Sequence, residues 1–333
     1  MSEERRSRAA APPHARMGGE TAQRDLLLGK YALVEKAGSG GMATVWRAIC
    51  HGAAGFELPV AVKRMHPGLA LSEDFADMFV EEARIVSALQ HPNVVRVHDF
   101  CRDELQRFFI VLEWVDGVDL GRWVKVHERS GAPTPWSLVG TVGLGVLRAL
   151  AAAHGRRDVE GRPAPIFHRD VTPANVLLGP YGEVKLGDFG LARAMDRVTL
   201  TTPGVVKGKL AYVAPELVGG ARASVGSDLY SLGVVLWEAL AGRRLFEGEN
   251  EIELFVRVGR AAVPALAGER DDLPAGLVAV VERLLAKRPE DRFLVAEEAG
   301  DALQHAIEDA GARENVAGLA ASVAHAKREL ARR

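Results

Sequence analysis

The sequence predicts an α+β fold of two lobes, and three observations carry that prediction. Between about residues 29 and 115, five short apolar runs alternate with period two, and one helical stretch interrupts them. Beyond Gly117 the apolar spacing turns helical. One later helix, Leu229 to Ala241, is apolar on nearly every side, the profile of a helix at the centre of a larger lobe. The 333 residues suit such a chain, and 48% apolar content supports a sizeable core.

Taken in order, residues 1–28 are rich in Arg, Ala, Ser and Pro without periodicity, and read as a disordered leader. Tyr31-Ala32-Leu33-Val34 is the first strand, Thr44 to Ile49 the second, and a third centres on Val60 to Lys63. Ser72, with Glu73 and Asp74, opens a helix whose apolar side is Phe75, Phe79, Val86 and Leu89. After His91-Pro92-Asn93 come the strands Val94 to Phe100 and Phe108 to Trp114, which complete a small lobe of about 29–115. The larger lobe then spans about 117–308. Thr134 is the expected cap of a helix with Pro135 at its first position, running to His154. The polar stretch 156–165, with Gly161, Pro163 and Pro165, reads as a loop. Ser227-Asp228 is the expected opening of the central helix, and Gly242 its end. Residues 309–333 alternate Ala and Leu with Arg and Lys, which suits an extra packed helix or a flexible end.

A net charge of −2 argues against generic nucleic-acid binding. Cys50 and Cys101 form no CxxC pair, so neither a disulfide framework nor a zinc site is expected. No signal-peptide core or uninterrupted apolar run of about 20 residues is visible, so the chain reads as soluble and cytoplasmic, without a membrane segment.

Three motifs carry chemistry. Gly38-Ser39-Gly40-Gly41-Met42-Ala43 joins two strands rather than a strand and a helix. That favours a hairpin lid whose backbone N–H groups approach phosphates, over a dinucleotide-binding turn. Lys63 lies in an apolar strand, Val60-Ala61-Val62-Lys63, and its amine needs a polar destination. Finally, Asp170 and Asn175 stand five apart in His168-Arg169-Asp170-Val171-Thr172-Pro173-Ala174-Asn175, and a short hairpin leads to Asp188-Phe189-Gly190.

Together with Ala214-Pro215-Glu216, these motifs resemble the protein kinase family over residues of roughly 31 to 305, and within it the bacterial eukaryotic-like Ser/Thr kinases. The resemblance implies a two-lobed protein kinase fold with ATP and Mg²⁺ between the lobes. It implies that Asp170 accepts the substrate proton, that Asn175 and Asp188 ligate Mg²⁺, and that Lys63 pairs with phosphates and with Glu82. Glu82 shares the inward helix face with Phe79 and Val86, whereas Glu81 points about 100° away. Gly38 to Ala43, Val45, Ala61 and Leu177 would enclose the nucleotide. Glu113 and Val115 would offer backbone groups to adenine, Leu112 would stand behind it, and Asp119 would reach the ribose. His168 would be structural, packing with Phe189 and bonding towards Asp228. Glu216 would pair with Arg292. Arg169 would meet a phosphorylated residue among Thr199, Thr201 and Thr202.

Two positions depart from the family pattern. Ser/Thr kinases carry Lys two residues after the catalytic Asp and Thr after the Gly of the later segment; here these are Thr172 and Lys209. The exchange suggests that Lys209 delivers the ammonium from the opposite side, with Thr172 as its hydrogen-bond neighbour. The expectation is therefore an ATP-dependent Ser/Thr protein kinase acting on proteins and on itself, through self-association in trans. The alternative is a nucleotide-binding pseudokinase serving as a scaffold. A small-molecule kinase is disfavoured by the peptide-loop length of Asp188 to Glu216.

Overall fold

The alternating strands of the N-terminal part form one six-stranded antiparallel sheet. The computed structural model describes residues 26–40, 43–66, 79–80, 83–84, 86–103, 105, 107–189 and 207–332. The strands are β1 (Leu26–Leu27), β2 (Tyr31–Ser39), β3 (Ala43–His51), β4 (Glu57–Met65), β5 (Val97–Arg102) and β6 (Phe108–Glu113). Tyr31, Ala48, Val60, Val62, Phe109 and Val111 fill one face of the sheet. The other face receives Phe79 and Ala83 of the helical stretch, packed with Met65 and Ile110.

The strand expected from Val94 begins three residues later. Val94 forms a parallel bridge to Leu186, and Val95 N–H donates to the Leu186 carbonyl at 3.0 Å. The apolar alternation was real, but its first residues join the two lobes rather than the sheet.

A second, three-stranded sheet underlies the junction: β7 (Val118–Asp119), β8 (Val176–Leu178) and β9 (Val184–Leu186). Beyond it the fold is helical, with α1 (Leu120–Ser130), α2 (Trp136–His154), α3 (Val225–Ala241), α4 (Glu251–Arg260), α5 (Ala275–Leu284), α6 (Ala296–Asp309) and α7 (Val316–Ala331). Helix α3 is buried along most of its length, as its all-round apolarity requires. Helix α2 is long and apolar enough to cross a membrane, yet 72% of its apolar window is buried inside the protein. Its glycines permit that close packing. A Cβ on Gly143 would approach Leu303 to 2.9 Å, and one on Gly145 would approach Val184 to 2.6 Å.

Both helix starts differ from the sequence expectation. Thr134 does not cap α2; Pro135 holds that place without a side-chain bond, and the Thr134 carbonyl accepts from Arg270. Helix α3 starts at Val225, capped by Ser224, and Ser227, the third residue of its first turn, accepts the Ser224 N–H on its hydroxyl. This capping box pairs two serines, and the sequence pattern alone favours the inner one.

Candidate active site and family

Between the two sheets lies a cavity of about 540 Å³. Its upper wall is Gly38, Val45, Ala61 and Lys63, its rear is Leu112, Glu113 and Val115, and its floor carries Asp119, Asn175, Leu177 and Asp188. These eleven residues, all singled out in the sequence, therefore face one space. Ser39, Gly40 and Ala43 do not line it; they close the hairpin, with Gly40 N–H on the Ala43 carbonyl at 2.9 Å and Ser39 Oγ 3.3 Å from Thr44 Oγ1. Gly41, Met42, Glu82, Thr199, Thr201 and Thr202 lie outside the described residues.

The loop that carries Asp170 is shaped from helix α3. Asp228 accepts the backbone N–H of His168 at 2.7 Å on Oδ2 and that of Arg169 at 2.8 Å on Oδ1. Oδ2 also meets His154 Nε2 at 2.9 Å. This grip holds Arg169 in the left-handed region, at φ 66°. The bond expected between His168 and Asp228 thus runs through the His168 backbone. The imidazole itself lies edge-on to Phe189, with ring centroids 4.4 Å apart. Its Nδ1 accepts from the Asp170 N–H, so Nε2 carries the hydrogen donated to the Gly187 carbonyl at 2.8 Å. Burial pushes this imidazole below its ordinary pKa, and the surrounding carboxylates only partly offset that.

Asp170 is the convergence point. Asn175 Nδ2 donates to the Asp170 carbonyl at 2.8 Å and to its Oδ2 at 2.9 Å, and Lys209 Nζ reaches the same Oδ2 at 2.5 Å. Among the described residues, no hydrogen bond joins Lys209 to Thr172, which is buried and receives the Asn175 N–H on its carbonyl. The exchange of residue types is therefore resolved on Asp170, not by a Lys209–Thr172 pair. Across the cavity, Lys63 Nζ lies 2.9 Å from Asp188 Oδ1, with Asp188 at φ 58°. Partial burial would raise the Asp188 carboxyl, but the charge and hydrogen bond of Lys63, helped by the charge of Lys209, hold it below the usual carboxylate range.

Further along, Arg292 forms a two-pronged pair with Glu216 at 2.7 and 2.8 Å and fills its remaining donors with the carbonyls of Gly226, Ala286 and Lys287. Sequence reasoning missed the neighbouring cluster in which Tyr212 donates to Glu238 at 2.7 Å and Arg244 contacts both. Its visible signal was a lone glutamate in an otherwise apolar helix. Lys36 and Arg122 at the cavity mouth were also missed.

The family model for the protein kinase domain matches residues 31–306. The chain belongs to the protein kinase domain family. Its two-lobed architecture is the protein kinase fold: a crystal structure of the Mycobacterium tuberculosis PknI kinase domain superimposes with a TM-score of 0.64 at 29% identity, covering 86% of this chain and 98% of that one. The tyrosine-protein kinase MasK of Myxococcus xanthus is 37% identical over 276 residues, 83% of this chain and 43% of MasK. The serine/threonine-protein kinase PknA of Mycobacterium tuberculosis is 34% identical over 271 residues, 80% of this chain and 59% of PknA. This kinase domain thus spans about half the length of the curated relatives it matches.

Proposed function

We propose that the chain is an active protein kinase that transfers the γ-phosphate of ATP to Ser or Thr hydroxyls of proteins, its own activation loop included. The observation that carries this reading is the meeting of Asn175 and Lys209 on Asp170, beside the Lys63–Asp188 pair. In this reading Asp170 accepts the proton of the attacking hydroxyl. Asn175 and Lys209 fix the carboxylate in place, and the Lys209 ammonium stands where negative charge develops on the transferred group. Lys63 holds the nucleotide phosphates. Val45, Ala61, Leu112 and Leu177 supply the apolar surfaces for adenine, and Glu113 and Val115 supply its backbone partners.

The donor set fits Mg²⁺. Both side-chain bonds of Asn175 use its N–H groups, so its oxygen is the atom offered to a cation, and Asp188 adds a carboxylate held in its charged form. Bound there, the ion would neutralise charge on the phosphates. ATP as the donor suits a cytoplasmic setting.

Tyr212 before Ala214-Pro215-Glu216 favours Ser/Thr acceptors, as does the likeness to the serine/threonine-protein kinase PknA. The Thr172/Lys209 exchange, with MasK at 37% identity, favours a tyrosine acceptor instead. Incubation of the wild type and Asp170→Asn with Mg-ATP, followed by mass spectrometry, decides between them. Phosphothreonine at Thr201 or Thr202, six or seven residues before Gly208, is expected in the wild type alone. Phosphotyrosine would shift the acceptor class, and absence of turnover would leave the scaffold reading.

A further inference from the structure

The matched family ends at residue 306, yet the chain continues into α7. The connection crosses the back of the larger lobe under three restraints. Glu314 forms a two-pronged pair with Arg148 at 2.6 and 2.7 Å, and Asn315 N–H donates to Thr141 Oγ1 at 3.0 Å. The Val316 carbonyl then passes so close to Gly182 that a Cβ there would come within 2.1 Å of it. Helix α7 lies along α1, burying Leu319, Val323 and Ala326. Ser322 Oγ accepts from Trp123 Nε1 at 2.9 Å and lies 3.2 Å from His127 Nε2.

The last turns of α7 reach the hinge between the lobes. Lys327 Nζ donates to the Asp116 carbonyl at 2.8 Å and lies 2.9 Å from Asp116 Oδ1. Asp116 stands between Val115 and Gly117, both of which line the nucleotide cavity. Residues 114–117 belong to neither sheet, and within them the Gly117 N–H meets the Val115 carbonyl at 2.8 Å. Such a linker loses conformational entropy when a ligand orders it.

We infer that α7 is a working part of the nucleotide site, and that Lys327 is a positioning residue that holds the hinge at Asp116 in its adenine-receiving conformation. The inference rests on the nucleotide reading of the cavity. A bond to a backbone carbonyl restrains the chain itself, whatever side chain stands there. The ammonium also holds the Asp116 carboxyl below its ordinary range. The Lys327 side chain is 36% exposed, so it contributes little as core packing, and an exposed ion pair adds little to global stability. What its loss should change is the order of the hinge.

The test uses the full chain with Lys327→Ala and Lys327→Arg. ATP binding is followed by titration calorimetry, kcat and KM by steady-state kinetics, and folding by thermal midpoint. Lys327→Ala should weaken ATP binding and raise its KM about fivefold, with kcat, the protein-substrate KM and the midpoint unchanged. Lys327→Arg should restore most of the affinity, and amide hydrogen exchange at residues 115–117 should quicken only in the alanine variant. Wild-type ATP affinity in Lys327→Ala overturns the inference, as does an affinity loss that tracks a lowered midpoint in both variants. Failure of the wild type to bind ATP would instead remove the nucleotide reading, and the hinge role with it.

Discussion

Lys209 and Asp170 are 39 residues apart in sequence, and the Lys209 ammonium nevertheless sits 2.5 Å from Asp170 Oδ2, the oxygen that also receives the Asn175 amide. The ammonium thus reaches Asp170 from the segment before Ala214-Pro215-Glu216, not from the loop that carries Asp170. Lys209→Ala should therefore lower kcat by about 10²-fold at saturating Mg-ATP. The double change Thr172→Lys with Lys209→Thr should recover a good part of that loss. Unaltered kinetics in Lys209→Ala would place the ammonium outside the chemistry.

Lys63→Met keeps the length and apolar stem of the side chain but removes the partner of Asp188. Activity should fall by at least about 10²-fold while the far-ultraviolet circular dichroism stays that of the wild type. A variant that keeps its turnover removes Lys63 from the phosphate-binding role.

The Arg292 side chain is fully buried, and its five donors are committed to Glu216 and three carbonyls. Arg292→Ala leaves those acceptors unmatched and should cost about 3–5 kcal/mol in urea unfolding. Arg292→Lys should regain only part of this, because an ammonium cannot reproduce the planar fork.

His168 predicts a pH dependence of stability. Its folded pKa lies below its unfolded value because burial disfavours the imidazolium. As pH falls through about 6.5, the unfolded chain takes up a proton that the folded one refuses. Stability is therefore lost towards acid, by as much as about 1.4 kcal/mol per pH unit for this one group. Burial lowers His91, His98 and His127 in the same direction. Urea midpoints between pH 7.5 and 5.5 should fall, and His168→Asn should flatten the slope by up to one proton.

Gly117 is the place where the hinge touches the cavity floor, and a Cβ there would come 1.8 Å from the Leu178 carbonyl. Gly117→Ala must move one backbone away from the other. It should destabilise the domain by about 1–3 kcal/mol and weaken ATP binding, read by thermal midpoint and calorimetry.

The parts legible in the sequence were those set by residue type at short range. Period-two alternation marked β2, β3, β4 and β6, and the all-round apolarity of α3 placed it at the centre. The site motifs placed eleven residues around one cavity because each sits on a strand or tight loop whose facing the local pattern determines. What escaped were relations made by packing between distant segments. The Asp116–Lys327 contact spans 211 positions, and neither residue stands out locally. The strand β1 is two residues long, too short to show alternation. Whether residues 309–333 would form a helix was open for the same reason. The propensity for helix is present, but the buried Leu319, Val323 and Ala326 reveal their partner only once α1 is folded.

The grip of Asp228 on the backbone of His168 and Arg169 also has a consequence for synthesis. His168 and Arg169 are translated 60 and 59 residues before the carboxylate that grips them, and the left-handed conformation of Arg169 is held by that acceptor. At about 5–20 residues per second, and with the helix needing to clear the ribosome and pack, the catalytic loop stays unformed for several seconds after it is made. A nascent or prematurely terminated chain ending before Asp228 therefore carries Asp170, Asn175, Asp188 and Lys209 without the carboxylate that shapes the loop of Asp170. On the proposed function, phosphoryl transfer would await completion of the larger lobe.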